Sequence, residues 1–567
     1  MSLIGTLNVS KSALAVTQAA IQTTGNNIAN AGNADYTRQV ARQDAARDRQ
    51  LRPGVFIGTG VNLTSIQRQI DEALEARIRA SIADDEAASV AEQWIGRIEA
   101  VFNELTDQDL STQLSAFFNA WSNLANQPHD IGLRQVVLQS GQSVAGWFQS
   151  VRTQLGQLRL DAGDRLTALT GEVDTLATRI ADLNGQIVKA EAGGTGQSNG
   201  LRDQRDALLK QLASMVDVRT HERDAGVIDV FVGSEPLVIG TTSRGATLRQ
   251  EAVDGTVTAI PVFRSTGGSM RLDGKGQLGA LDRIRRQIDE TIDAVDHLAG
   301  SLIFELNKLH AAGQGLEGFA AVSATRIVAD PSAALNTPGA DLDFKPVNGS
   351  FVVHVRDKTT GLLSSTLVEV DLDGLDGDDT TLDALAAALD AIDDISANVS
   401  GGRLSLSADS DAVEIRFSQD SSGVLAALGI NGFFDGTDAR DIAVNATLRA
   451  RPQLIAAARN GQPGDNQTAR AIAALETTPL ASLSGQSLKG SYEQVINTLA
   501  SESATAKGDS AASRAVRETL QAQREALSGV SLDEEAINLM KYQRAYQGAA
   551  RVVAAIDELM QTLLSLV

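Results

Sequence analysis

The last thirty-seven residues, Ser531 to Val567, constrain this chain more than any other stretch. Leu532, Glu535, Leu539, Tyr542, Tyr546, Ala549, Val553, Ile556, Met560, Leu563 and Val567 alternate at spacings of three and four, the seam of a coiled-coil helix. Only Glu535 breaks the apolar run. A second line, Ala545, Val552, Leu559 and Leu566, repeats every seven residues beside it, so the stripe is too wide for one partner helix. The pattern continues to the final residue, where an ordinary domain frays and turns polar. Such a helix expects several neighbours, some of them outside the monomer.

The other end supplies a matching pattern. Leu7, Leu14, Ile21 and Ile28 are spaced by sevens, with Ile4 and Val16 nearby, which predicts an amphipathic helix from about Ser2 to Asn30. Between Met1 and Ala34 the only charged side chain is Lys11. A freely solvated face normally mixes charges of both signs, so the Ser, Thr, Gln and Asn of this one suit close helix contact. An intramolecular helix pair with a polar outside is the competing reading. If the seams wait for other subunits, the end helices of a free monomer lack burial to offset their conformational entropy and are poorly ordered.

Three stretches carry a resemblance: NNIAN at Asn26 to Asn30, YTRQ at Tyr36 to Gln39, and SGVSLDEEAINLMKYQRAYQGAARVVAAIDELMQTLL at Ser528 to Leu564. They resemble the terminal signatures of bacterial flagellar axial proteins, and within these the flagellar hook-associated protein family. LRDQRDALLKQLASMVDV (Leu201 to Val218) and GVLAALGINGFFDGTDARDIAVN (Gly423 to Asn445) extend the likeness more weakly. One departure is visible: the family commonly has Asn-Thr-x-Gly-Tyr before this tyrosine, whereas here Gly32, Asn33, Ala34 and Asp35 precede Tyr36.

The resemblance implies a structural protein of the hook-filament junction, whose subunits form a ring in the flagellar axis. It implies the hook protein and the next hook-associated junction protein as partners. It also implies export unfolded through the flagellar type III channel to the outside of the cell, with a cytoplasmic chaperone first covering the C-terminal helix.

Charge and residue usage narrow the alternatives. With 49 Lys plus Arg against 71 Asp plus Glu, the net charge is -22. No basic cluster offsets it, so neither nucleic acid nor an anionic membrane is an expected partner. Without cysteine there is no disulfide, thiolate metal site or thiol nucleophile. No stretch approaches the ~18 apolar residues of a membrane span, and no basic segment followed by an apolar run marks a cleaved signal.

Taken in order, the chain alternates helical and strand patterns. Gln50 to Thr64, with Pro53, Gly54, Gly58 and Gly60 among Val55, Phe56, Ile57 and Val61, reads as turns and strands. Helical periodicity runs from Ile66 to Ala125 and breaks at Asn126, Pro128 and Gly132. Val151 to Ile187 keeps three-four spacing apart from two successive fours around Ala162, a stutter that locally unwinds a supercoil; this predicts a rod helix of ~55 Å. Gly193 to Gly200 reads as a reversing loop before a returning helix. Val216 to Asp273 reads as a small antiparallel β element, Leu281 to Leu309 as a third long helix, and Pro331 to Pro346 as a linker. Alternation in Phe351 to Val355, Val368 to Leu372, Leu404 to Leu406 and Val413 to Phe417, around a helical Leu382 to Leu389, gives an inserted ββαββ-like unit. Asp465 to Glu476 and about Gln486 to Leu527 return to helix.

Three motifs invite chemistry. Gly313, Gly315 and Gly318 spell G-x-G-x-x-G, but a helix precedes them and no helix start follows, so a helix-ending turn fits better than a nucleotide loop. Asp371, Asp373, Asp376, Asp378 and Asp379 suggest a calcium loop. The register fails, because positions five, six and twelve from Asp371 are Leu375, Asp376 and Leu382. A turn capping a helix near Thr381 is preferred. His129, His221, His297, His310 and His354 are scattered, with no pair at helical spacing.

The expected fold class is α+β and multidomain. It comprises a discontinuous terminal coiled coil (1–35 and 531–567), a helical rod domain (36–340 and 435–530, with a β element at about 216–273), and an inserted α/β domain (341–434). The expected function is structural, with no catalytic, metal or cofactor residues. The assembly interface is assigned to Leu7, Leu14, Ile21, Ile28, Leu539, Tyr542, Tyr546, Val553, Ile556, Met560 and Leu563. The alternative is an extracellular adhesin or tip-like binding protein on a helical stalk.

Overall fold

The computed structural model describes residues 3–102, 109–193, 196–253, 256–375, 377–462 and 464–565. Ser2, Asp376, Leu566 and Val567, and parts of the Ile66 to Ala125 and Gly193 to Gly200 stretches, lie outside the described residues. The chain forms two compact units: residues 1–94, 161–285 and 504–567 make the first, and 95–160 and 286–503 the second. The mixed helix and strand content is the α+β class that the patterns predict.

In the first unit the end helices are Leu3–Ala29 and Leu532–Ser565. Between them in sequence a β-ribbon, Gln39–Ala45 paired antiparallel with Val61–Arg68, carries a hairpin of Arg49–Arg52 and Val55–Ile57 at its far end. Ile66 therefore sits in a strand opposite Ala41 and does not begin a helix. The helix starts at Glu72, where Asp71 Oδ1 accepts from the N–H groups of Ala73 and Leu74, an N-cap that an apolar count alone does not weigh. Gly60 has φ +116, and a Cβ there would collide with Ser12 Oγ and lie 3.3 Å from Val9 Cα. Glycine thus lets the ribbon cross the first helix at backbone distance.

The predicted β element is present as a four-stranded antiparallel meander, Val218–Glu222, Ile228–Val232, Glu235–Ile239 and Thr242–Ser243, followed by the hairpin Ala246–Val253 and Thr256–Phe263. Fully buried Asn184 pins this sheet to a long helix: its Nδ2 donates to the carbonyls of Ile228 and Gly240, and its Oδ1 accepts from Arg205. Arg202 Nη2 bonds Glu191 Oε2 at 2.9 Å, which holds that carboxyl down at about 2.

The long helix itself runs Ile131–Glu191, beginning twenty residues before the predicted Val151. Its first turn is set by Asp130, whose carboxylate accepts from the Leu133 N–H. The helix Gly276–Ala311 matches its prediction and ends before Gly313. Gly315 and Gly318 then lie against the backbone of Leu454 and Ile415, at distances no Cβ tolerates. These glycines serve close backbone approach after a helix end.

The second unit differs from its sequence pattern at two places. Pro331 to Pro346 is not a loose linker: Leu335, Ala340 and Leu342 are buried, and Leu335 N–H bonds Thr380 O. Its turn residues are ordered because apolar side chains between them find the core. The inserted pattern also contains one more strand, Ile395–Ser400, whose alternation of Ser, Asn and Val is too polar to register as apolar. It pairs with Arg403–Ala408, while Gly349–Asp357 pairs with both Leu363–Val370 and Val413–Ser418. Thr381 does cap the helix Leu382–Asp390, accepting from Ala384 N–H.

The core of the second unit is an aromatic cluster in which Phe433 stands 5.6 Å from Phe117, 5.4 Å from Trp121 and 4.9 Å from Phe434. Asn307 Oδ1 receives the N–H groups of Phe433 and Phe434. Beside them His310 donates from Nδ1 to Asn431 O (2.7 Å) and accepts at Nε2 from Ala456 N–H (3.0 Å), an arrangement only the neutral ring satisfies. Burial pushes its pKa from 6.5 down to about 4. A depressed pKa means that this stabilisation is complete above about pH 6.5 and is lost as pH falls towards 4. The unfolding free energy from denaturant titrations should fall more between pH 7 and 4 in the native chain than in His310→Gln, by on the order of 3 kcal/mol.

Candidate assembly site

The two end helices are partners within one chain. Asn27, near the end of the first, touches Glu535, in the first turn of the last, so the pair runs antiparallel. At 1.5 Å per residue the helices are about 40 and 51 Å long, and the last turns of the C-terminal helix run past Leu3. Ser531 O accepts from Glu535 N–H, and three acidic residues, Asp533 to Glu535, fill the first turn, where the helix dipole favours negative charge.

Glu535, the one polar residue on the seam, is buried. Its Oε1 accepts from Arg38 Nε (2.9 Å) and Nη2 (2.7 Å), and its Oε2 from Asn27 Nδ2 (3.0 Å). Both carboxylate oxygens are therefore satisfied, which is what makes a buried charge tolerable. Asn27 also treats Gln39 as a strand partner, giving Nδ2–H to its carbonyl (2.9 Å) and taking its N–H on Oδ1 (3.0 Å). Tyr36 hydroxyl donates to the same Oδ1 at 2.7 Å. Arg38 Nη1 reaches Glu534 (2.9 Å), and Arg38 N–H bonds Ser528 O at the end of the preceding helix.

The network continues into the Leu201 to Val218 stretch. Thr37 N–H faces Asp203 Oδ2 (3.4 Å), and Arg68 Nη1 bonds Asp203 Oδ1 (3.0 Å) and Asp206 Oδ2 (2.5 Å). Burial raises the Asp203 pKa, against the pull of Arg68. A parallel brace joins Arg524 Nε to Glu75 Oε1 (2.7 Å), with Lys210 3.4 Å from Oε2, while Arg524 Nη1 holds Ala34 O (3.1 Å). The turn lacking the usual glycine closes through Asn33, whose side chain accepts from Asp35 N–H and whose carbonyl accepts from Tyr36 N–H. NNIAN, YTRQ, LRDQRD and SLDEE thus meet in one place. In the sequence they lie far apart; the signal that joins them is a lone carboxylate on an apolar seam, which requires a buried cation.

The helix faces are less complete. Leu7, Leu14, Ile21 and Ile28 are half-buried, while the fully buried stripe, Val16, Ala20, Thr23, Thr24 and Asn27, lies about a third of a turn away. On the C-terminal helix Ile556 is buried and Leu539, Tyr542 and Val553 are half-buried. Tyr546, Met560 and Leu563 are exposed, as are Val552 and Leu559 of the second line at 42% and 54%.

Elsewhere, Asp371, Asp373 and Asp379 bring carboxylate oxygens within 4.8 Å of one another. Asp373 and Asp379 accept turn N–H groups from Leu375 and Gly374, which is turn chemistry. No helix among the described residues is long and apolar enough to cross a membrane.

Residues 95–323 match the family model described as flagellar hook-associated protein FlgK helical domain, and 521–566 the model described as flagellar basal body rod FlgEFG protein C-terminal. Proteins named flagellar hook-associated protein 1 align along nearly the whole chain. That of Escherichia coli K12 is 24% identical over 99% of both chains. The Salmonella typhimurium LT2 protein is 25% identical over 99% of both, and that of Bacillus subtilis 168 is 25% identical over 99% of this chain and 97% of its own. The solved flagellar hook junction protein FlgK of Burkholderia pseudomallei shares the fold at TM-score 0.50 and 15% identity, covering 80% of this chain and all of that one. None of these names refers to adhesion.

Burial, Asp203 and Glu535 together push the Tyr36 hydroxyl from 10 up to about 12. A raised pKa contributes stability that is complete below about pH 10 and disappears as pH rises through 12. Tyr36→Phe should cost about 1 kcal/mol at pH 8, and because two pKa units amount to about 2.7 kcal/mol, the melts of the two chains should cross between pH 10 and 12.

Proposed function

We propose, for a chain that belongs to the flagellar hook-associated protein family, that it builds the hook-filament junction of the bacterial flagellum through its terminal helices. Its partners in this reading are further copies of itself in a ring, the hook protein on one side and the next hook-associated protein on the other. It leaves the cell through the type III channel, works outside, and has its C-terminal helix covered beforehand by a cytoplasmic chaperone. Its work is geometric and involves no catalysis. Residues 341–434 act as a peripheral insertion, and 1–35 with 531–567 as the assembly domain.

One observation carries the reading: the C-terminal helix already holds the N-terminal helix, yet still exposes Tyr546, Val552, Leu559, Met560 and Leu563. Burying such a stripe against neighbouring subunits contributes ~25 cal/mol per Å² of apolar surface, and a contiguous apolar face on a soluble chain marks a contact surface. The interface assigned from sequence divides accordingly. Ile556 and its half-buried neighbours hold the two ends of one chain together, and the exposed residues reach other subunits.

Leu559→Asp combined with Leu563→Asp tests this division. Melting of the purified chain should stay within a degree or two of the native value, because both sites are exposed, while incorporation into flagella and motility are lost. Normal motility in that variant would remove the proposal.

A further inference from the structure

Between Tyr36 and Ile70 this acidic chain carries six arginines, Arg38, Arg42, Arg47, Arg49, Arg52 and Arg68, against two aspartates, Asp44 and Asp48. Sequence reading found no basic cluster because the arginines are spread over some thirty residues; antiparallel pairing of the ribbon and its hairpin gathers them. Arg38 and Arg68 are engaged by Glu535 and Asp203. Arg42, Arg47, Arg49 and Arg52 are exposed, and among the described residues none of them makes an ion pair.

The hairpin they flank is unusual. It turns at Pro53-Gly54, with Gly54 at φ +82, the residue order of a type II turn. Both of its strands are exposed, and it leaves Leu51, Val55 and Phe56 at 52%, 37% and 61%. An isolated two-stranded hairpin is marginal in water, and one that shows a phenylalanine and a leucine among arginines has the composition of an interface.

We propose that this hairpin is a second contact surface, docking on an acidic face of another copy of this chain. The inference rests on the reading of the chain as an assembling subunit. Charge selects the occupant: outside this stretch the sequence is more acidic than its net -22, so every copy offers carboxylates to an arginine-flanked tip. Continuity supports it as well, since the ribbon is rooted in the helix junction through Arg38 and crosses the first helix at Gly60. The arginines would steer and set register, and the apolar tip would supply burial.

A photo-cross-linking residue placed at Phe56 in the full-length chain, in cells building flagella, tests the contact. The expected product is a two-chain species whose cross-linked peptide comes from a second copy and bears Asp or Glu. Arg47→Glu, Arg49→Glu and Arg52→Glu together should lower its yield roughly tenfold, as loss of several exposed pairs does, while the circular dichroism melt of the purified chain is unchanged. Cross-links confined to one chain overturn the inference, as do cross-links to nucleic acid, to lipid or to a different protein, no cross-link at all, or a yield indifferent to the three reversals. A Phe56 cross-link to a second copy in a chain whose Leu559→Asp and Leu563→Asp variant still assembles would remove the helix reading and leave this contact standing.

Discussion

A carboxylate buried on an apolar helix seam is the constraint from which the ends of this protein take their arrangement. Moving Glu535 out of water costs several kcal/mol, which only close partners on both oxygens offset. Arg38 and Asn27 supply them. An apolar heptad seam can slide by seven residues at modest cost, but a single buried charge fits its partners in one register alone. The antiparallel pairing of the end helices, the start of the β-ribbon at Arg38 and the turn before Tyr36 are therefore set together.

At that junction and elsewhere the chain uses polar side chains as substitutes for backbone. Asn27 completes the hydrogen bonds of Gln39, Asn184 those of Ile228, and Asn307 those of Phe433 and Phe434. Each amide holds both a donor and an acceptor in fixed geometry, so helices can grip irregular backbone that no helix or sheet would satisfy. This explains why asparagines sit at such buried positions although they are poor helix formers.

Much of this was legible in the residues. The terminal seams, the three long interior helices, the meander at about 216–273 and the cap at Thr381 follow from periodicity and capping, which are local. The start of the long helix at Ile131, the strand Ile395–Ser400 and the packed Pro331 to Pro346 segment were not, because their signals are an N-cap, a polar alternation and isolated apolar residues among turn formers. The site was half legible. Its motifs stood out, and Glu535 was visible as an exception, but the meeting of residue 27 with residue 535 is a property of tertiary pairing. The heptad line Leu7 to Ile28, assigned to the assembly interface, is half-buried within the chain, while the fully buried positions of that helix include Val16, Ala20 and Asn27.

A double-mutant cycle between Arg38 and Glu535, each replaced by Leu, measures the central interaction most directly. The account predicts that Arg38→Leu, which leaves the buried Glu535 carboxylate with Asn27 alone, costs about 3–5 kcal/mol, and that Glu535→Leu costs less, because Arg38 keeps Glu534. The double variant should recover much of that loss, leaving a coupling energy above about 1.5 kcal/mol. Additive single effects, within about 0.5 kcal/mol, would show that the ends are held by apolar packing alone and would contradict the account.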